Sequence, residues 1–271
     1  MIAILLTTYN GGFFLREQLD SLCMQTNKNF SLYIRDDGST DNTLEIIKEY
    51  TLKYSNIILV KDGIKHRGAC FGFLWLLEQI EADYYMFCDQ DDVWMPFKIQ
   101  LSYEIMQAEE SRFRNLPILI HTDLTITDSS LNILYPSLWE YQKTIPTQIG
   151  RKYLCLVNYV TGCTMFINRN ARELAIVNYS SAIMHDHWLG ICVDAAHGRI
   201  VSIPTTTIYY RQHGNNTIGA SKKQYKFPKL QRYLHIPDYK YDCQLFQMIK
   251  VRYNLPFYKY LLKKIIFYIK L

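Results

Sequence analysis

YYMFCDQDDVW, residues 84–94, is an apolar run of strand length that stops in three aspartates within four positions, Asp89, Asp91 and Asp92. Carboxylates crowded this closely raise one another's pKa unless a cation or hydrogen-bond donors hold them. Either a metal site or a solvated turn begins here. The same pattern, an apolar run and then a polar cluster, recurs upstream. IAILL (2–6) runs into TTYN (7–10), and Leu15, Leu19 and Leu22 follow at helical spacing. SLYIR (31–35) runs into RDDGSTD (35–41), where Ser39, Thr40 and Asp41 are N-cap candidates for the helix TLEIIKEYTLKY. NIILVK (56–61) is a third strand, and a helix near ACFGFLWLLEQIE precedes YYMFC. Strand and helix alternating at this spacing predict a parallel, doubly wound sheet. Right-handed crossovers then place the carboxyl ends of the strands on one edge, where such sheets bind ligands. TTYN, RDDGSTD and CDQDD all fall on that edge.

Beyond Pro96 the spacing predicts a helix over KIQLSYEIMQAEE and a strand over PILIHTDLTI. A less regular half follows, through VTGCTMFINRNARELA, MHDHWLGICVDAAHG and RIVSIPTTTIYYRQHGNN, and packs on the first sheet.

The bulk numbers exclude several classes. The 271 residues suit one large or two small domains, and 49% hydrophobic content with 22 tyrosines excludes a disordered chain. The opening MIAILLTTYN has no basic leader, and nothing reaches the roughly 18 apolar residues of a membrane span. Seven cysteines without a CxxC pair read as reduced thiols of a cytosolic protein, with no zinc site. The net charge of +5 is uneven: residues 222–271 hold twelve Lys and Arg against two Asp, which is +10, leaving −5 for residues 1–221. No nucleic-acid motif accompanies that charge.

Asp89 and Asp91 form an Asp-x-Asp. At a strand end, alternate carboxylates can aim at one point, and oxygen ligands select hard cations such as Mg²⁺ or Mn²⁺. A phosphohydrolase with Asp89 as nucleophile is a second reading, although that signature usually ends a first strand. The spacing around Gly38 excludes an EF-hand loop. Asp37 could accept the N3–H of uracil or thymine. In HDHW (185–188), Asp186 is either a helix cap or a general base, and Trp188 either core or a stacking face for a sugar. In YRQHGNN (210–216), Arg211 suits a diphosphate, and His213 is either a metal ligand or structural.

With TTYNG, RDDGSTDNT, DQDDVW, HDHW and YRQHGNN in that order, residues 2–220 resemble glycosyltransferase family 2, the inverting enzymes of GT-A fold. The likeness is greatest to bacterial rhamnosyltransferases of capsule and cell-wall polysaccharide synthesis. The resemblance implies an α/β fold: a GT-A-like doubly wound, mostly parallel nucleotide-binding sheet fused to a smaller mixed acceptor-side region. It implies a glycosyltransferase domain over 1–221, with a nucleotide-sugar half (1–115) and an acceptor and base half (116–221), and a basic helical segment over 222–271. Thr8, Tyr9 and Asn10 would line the nucleotide pocket, with Asp37 at the base and Arg211 at the diphosphate. Asp89 would approach the ribose and the metal, and Asp91 and His213 would ligate the metal, Mg²⁺ or Mn²⁺. Asp186 would be the catalytic base, and Trp94, His187 and Trp188 are acceptor-side candidates. The implied reaction is inverting, metal-dependent transfer of L-rhamnose from dTDP-L-rhamnose to a lipid-linked glycan. A UDP-hexose donor is the alternative. His185 stands where many members carry an acidic residue. The absence of Gln-x-x-Arg-Trp argues for addition of a single sugar.

The final stretch LPFYKYLLKKIIFYIKL places Lys259, Lys263 and Lys270 near one helical face. Such a helix either lies on an anionic membrane or packs on the core. The resemblance favours peripheral contact at the inner face of the plasma membrane.

Overall fold

The computed structural model describes residues 1–214 and 239–270. The charged residues 215–238, Asn215 and Asn216 among them, and the side chain of Lys270 lie outside the described residues.

Three apolar runs form the core of the sheet. Strand β1 (Ile2–Thr8) is buried along its whole length, with β2 (Phe30–Asp36) and β4 (Tyr84–Cys88) parallel on either side. Strand β3 (Ile57–Val60) extends β2 in parallel. A strand covered on both faces reads as an unbroken apolar run. Its alternate side chains feed two cores: Ile2, Ile4 and Leu6 pack into one, Ala3 and Leu5 into the other. The first core lies under α1 (Leu15–Cys23), α2 (Thr43–Lys53) and α4 (Lys98–Arg112). Leu15, Leu19 and Leu22 of α1 are fully covered there. Each such burial contributes roughly 1.5–3 kcal/mol. The second core lies under α3 (Gly68–Gln79), which is apolar almost all round and sends Phe73, Leu74, Leu76 and Leu77 inward.

The second half completes the sheet in a mixed sense. The strand order is β3-β2-β1-β4-β8-β6-β9-β5, with β7 (Ile133–Tyr135) paired to β6 (Ile118–Thr127). Short helices α5 (Leu138–Gln142) and α6 (Pro146–Ile149) lead to β8 (Met165–Asn168), which is antiparallel to both β4 and β6. Helices α7 (Arg169–Ala175) and α8 (His185–Ala195) follow. Strand β9 (Arg199–Arg211) then runs 13 residues parallel to β6, and its far end pairs with the two-residue β5 (Val93–Trp94). That pairing brings the chain after Arg211 beside the loop after β4. One continuous sheet therefore crosses residue 115.

Two further helices follow, the first packed on α8 and the second packed on the first. Helix α9 (Tyr239–Tyr253) buries Leu245, Met248 and Ile249. Helix α10 (Phe257–Lys270) buries Tyr260 and Phe267. Among the described residues, no helix is long and apolar enough to cross a membrane. All seven cysteines are free thiols.

Candidate active site

The carboxyl ends of β1, β2 and β4 meet in three interlocked loops. Asp37 N–H donates to the Thr8 carbonyl at 2.8 Å, and Asn10 N–H to Ser39 Oγ at 2.8 Å. Gln90, between the two aspartates of the Asp-x-Asp, ties the third loop to the first. Its Oε1 accepts from Thr8 Oγ1 at 2.7 Å and from Tyr9 N–H at 2.9 Å. The approach is so close that a Cβ at Gly11 would stand 2.2 Å from Gln90 Oε1. Of the predicted pocket residues, Thr8 is buried in this lock, and Tyr9 and Asn10 are exposed at its rim.

Ser39, Thr40 and Asp41 divide their work differently from the cap reading. Asp41 Oδ1 accepts from the Thr43 N–H at 3.0 Å and serves the start of α2. Ser39 Oγ donates to Asp36 Oδ1, and Thr40 N–H donates to Asn10 Oδ1. Both belong to the loop lock.

Asp37 is 4% exposed and lies against the start of α3. Its Oδ1 accepts from Arg35 Nη1 at 2.9 Å and from Arg67 N–H at 3.1 Å, and its Oδ2 from Gly68 N–H at 2.8 Å. Burial pushes this carboxyl up, but the Gly68 N–H and the Arg35 guanidinium outweigh it and hold it below its ordinary value. Of the roughly four lone-pair positions on a carboxylate, about one remains for a base N–H.

The loop after β4 gathers negative charge. Burial, then the charges of Asp91 and Asp186, push Asp89 up to about 7. Burial, then the charges of Asp91 and Asp89, push Asp92 well above the usual carboxylate range. Asp92 Oδ1 accepts the Arg211 N–H at 3.1 Å, whereas its buried Oδ2 has no hydrogen-bond partner. Ligating atoms of Asp89, Asp92 and Cys163 lie within 4.8 Å of one another. Asp91 meets His213 instead, with Oδ2 at 2.8 Å from Nε2. The structure thus joins Asp91 to His213 across β5 and β9 and sets Asp89 beside Asp92. The Cys163 thiol, pushed well up by burial and by Asp92, stays protonated and is a poor ligand. What remains is carboxylate oxygen and one imidazole, a donor set that fits Mg²⁺ or Mn²⁺ better than zinc. Crowded carboxylates and an orphaned buried oxygen are the surroundings a divalent cation would relieve.

Asp186 lies in the first turn of α8, behind the N-cap Met184, so it is not the cap itself. Burial pushes it up to about 6, against the pull of the His187 N–H at 2.6 Å, the Gly162 N–H and the Asn158 side chain. A carboxyl near 6 is poised to take a proton at neutral pH. Next to it, His185 is buried against Phe73 at 4.2 Å between ring centroids, with both ring nitrogens unpaired. Gly162 leaves room for that ring, because a Cβ there would stand 2.5 Å from His185 Nε2.

Four predicted contacts are placed elsewhere by packing. Trp94 and Trp188 are 2% and 0% exposed, and Trp188 Nε1 donates to the Ala175 carbonyl at 2.8 Å. His187 is buried with Nε2 at 2.8 Å from the Leu154 carbonyl. None of the three offers a face to an acceptor. Arg211, 2% exposed, reaches the Asp91 carbonyl at 2.9 Å, the Ser129 carbonyl at 2.6 Å and Glu17 at 2.5 Å, and it lies over the Phe14 ring. This guanidinium bolts the loop after β4 to the end of β9 and to α1, and it is not aimed at a diphosphate. Sequence reading missed Gln90, Asn158, Cys163 and Lys98. The last is a buried lysine pushed down to about 8 by burial, with Nζ 4.4 Å from the centre of the Trp94 ring.

Comparison with known proteins bears on this arrangement. The profile described as "Glycosyl transferase family 2" matches residues 3–172. The chain is 29% identical over 247 residues to the dTDP-rhamnosyl transferase RfbG of Shigella flexneri, covering 82% of this chain and 77% of that one. It is 26% identical over 225 residues to WfaP of Escherichia coli, a UDP-Glc:alpha-D-GlcNAc-diphosphoundecaprenol beta-1,3-glucosyltransferase, covering 82% and 81%. The solved structure of S. aureus TarS 1-349 superposes with a TM-score of 0.60 at 16% identity. The match covers 78% of this chain and 60% of that one, a likeness of fold.

Proposed function

The chain belongs to glycosyl transferase family 2, and on that premise we propose that it moves one L-rhamnosyl unit from dTDP-L-rhamnose, with inversion, to a hydroxyl of a lipid-linked surface glycan. It is a glycosyltransferase with a GT-A-like fold, so a nucleotide-sugar donor and a glycan acceptor follow from the family. The single observation that carries the reading is the meeting of Asp89, the Asp91–His213 pair and Asp186 at the carboxyl edge of the sheet. The likeness to RfbG supports the rhamnosyl donor, and the likeness to WfaP supports a polyprenyl-linked acceptor. WfaP equally supports a UDP-hexose donor as the second reading.

The residues divide the work as follows. Thr8, Tyr9 and Asn10 line the nucleotide pocket, and Asp37 fixes its floor and offers its remaining lone pair to the base. Asp186 takes the proton of the acceptor hydroxyl, whose oxygen then bonds to the anomeric carbon as the bond to the diphosphate breaks. A divalent cation, when bound, would be held by Asp89, Asp91 and His213 and would neutralise the departing diphosphate. Arg211 positions Asp91 and His213 for this. Asp89 as a phosphohydrolase nucleophile gains no support, because the family match and the relatives are glycosyltransferases.

Thermal stabilisation by dTDP, UDP and GDP, each with and without Mg²⁺ or Mn²⁺, tests the reading. A ligand of the folded state at about 100 times its Kd adds about 2.7 kcal/mol. Metal-dependent stabilisation by dTDP above UDP is expected. A preference for UDP moves the donor to a UDP-hexose, and silence from every nucleotide overturns the site.

A further inference from the structure

We propose that Phe14, the residue just ahead of α1, is a positioning residue for the candidate metal site: its ring sets the plane of the His213 imidazole. The proposal deepens the reading of Asp91 and His213 as metal ligands and rests on it.

Phe14 stands at the N-cap of α1, where Ser, Thr, Asp or Asn is the usual choice. Core packing does not account for it either. Among the described residues, the core beneath α1 takes Leu15, Leu19 and Leu22 and leaves Phe14 outside. Its ring turns instead to the end of β9. The ring centroid lies 4.7 Å from that of His213, with 32° between the planes. It lies 4.4 Å from the Arg211 guanidinium carbon, and Phe13 meets it edge-on at 4.6 Å.

The imidazole needs such a support. Strand β9 ends at Arg211, and the Gln212 N–H donates to the Thr127 carbonyl at 2.9 Å just before His213. Beyond that point side-chain contacts direct the ring, because the second torsion of histidine is broad. The hydrogen bond between Nε2 and Asp91 Oδ2 at 2.8 Å fixes one atom of the ring. A stacked aromatic face fixes its plane. Metal-ligating histidines depend on a neighbour that holds the ring in orientation. The two ligand atoms already stand near the spacing of about 2.9 Å that separates adjacent ligands round a small octahedral ion.

The support is itself anchored. The Phe14 N–H donates to the Gly11 carbonyl at 3.0 Å, and the Gly11 N–H to Thr43 Oγ1 at 2.9 Å. The Phe14 carbonyl accepts the Gln18 N–H at 3.2 Å. Gly11 is the residue that lies against Gln90, so the ring is carried by the same lock that holds the Asp-x-Asp loop. Gln90 fixes the loop that carries Asp91, and Phe14 fixes His213.

The test is Mn²⁺ binding to the full chain without nucleotide, followed by electron paramagnetic resonance. Phe14→Leu keeps an apolar side chain and removes the ring, and should weaken Mn²⁺ about tenfold. Phe14→Met repeats the loss of the ring with a more adaptable side chain. Phe14→Tyr keeps the ring and should bind like wild type. In a His213→Ala background, Phe14→Leu should cost no further affinity, since a residue that acts through His213 has nothing left to position. Spin-echo spectra should show coupling from an imidazole nitrogen to Mn²⁺ in wild type and lose it in Phe14→Leu, with circular dichroism confirming the fold of each variant. Unchanged affinity in Phe14→Leu and Phe14→Met, or an equal loss in the His213→Ala background, overturns the proposal and leaves the metal reading standing. A wild type that binds no Mn²⁺, or binds it without nitrogen coupling, overturns His213 as a ligand and the proposal with it.

Discussion

At the scale of the residue, the proposed reaction turns on where one proton sits. Asp186 is held up near 6 chiefly by burial, so it is ionised, and able to act as a base, only above that pH. The rate should rise through about pH 6 and level off above it, since protonation below that point removes the acceptor for the hydroxyl proton. Asp186→Asn should lower kcat by about 10²–10⁴-fold and leave dTDP binding intact. A pH-independent rate, or near wild-type turnover in the variant, would take the base role away from this residue. The unpaired His185 beside it explains why an acidic neighbour is not needed here for a raised pKa: an imidazole buried against Phe73 and pushed down to about 3 is neutral, and burial raises Asp186. Asp91→Asn should weaken both metal and nucleotide binding, because its Oδ2 is the oxygen that meets His213. Titration of Mn²⁺ followed by dTDP into the variant separates the two effects.

At the scale of the element, much was legible in the sequence. Strands β1 and β4 are nearly unbroken apolar runs because helices or other strands cover both faces, and helices α1 and α2 keep a 3.6-residue period. The three loop clusters follow, because a parallel sheet leaves all its carboxyl ends on one edge. Strand β5 was not legible, since two residues carry no period, and its pairing with β9 is what brings His213 to Asp91. Gln90 and Asn158 act through neighbours far away in the chain, which spacing does not reveal. Trp188 looked like a sugar platform, and Trp94 like an acceptor contact, only because a motif shows residue type and not the direction of a side chain; both are sealed in the interior. Arg211 was misjudged for a related reason. An exposed arginine suits a diphosphate, but this one is buried as the joint between β9, the loop after β4 and α1. Arg211→Lys should therefore weaken Mn²⁺ binding measured without nucleotide by about 10–100-fold, as loss of a supporting hydrogen bond does at metal sites, and lower the melting temperature. Lysine cannot reproduce the planar fork that meets three acceptors at once. Unchanged Mn²⁺ affinity with lost dTDP affinity would return Arg211 to the diphosphate.

At the scale of the whole molecule, the site and the fold pull in opposite directions. Asp37, Asp41 and Asp62 are held below their ordinary values, so the stability they contribute is present above about pH 4 and is lost as pH falls through their folded values. Their window closes before that of Asp186 opens. The Asp186 shift has the other sign: its carboxyl binds a proton more tightly folded than unfolded. Between about pH 4 and 6 the folded chain holds more protons than the unfolded chain, and stability falls as pH rises. From an ordinary value of 3.8 to about 6, the loss is of the order of 3 kcal/mol by pH 8, at about 1.4 kcal/mol per pH unit. A buried charge in the proposed base therefore costs stability at the pH where that base would work, as strained active sites do. Asp186→Asn keeps the shape of the side chain and removes the charge, so this variant should melt several degrees above wild type at pH 8 and lose that advantage near pH 4. Thermal melts of metal-free wild type and variant across that range measure the difference directly. A constant gap at every pH would mean that amide packing, and not the charge, accounts for it.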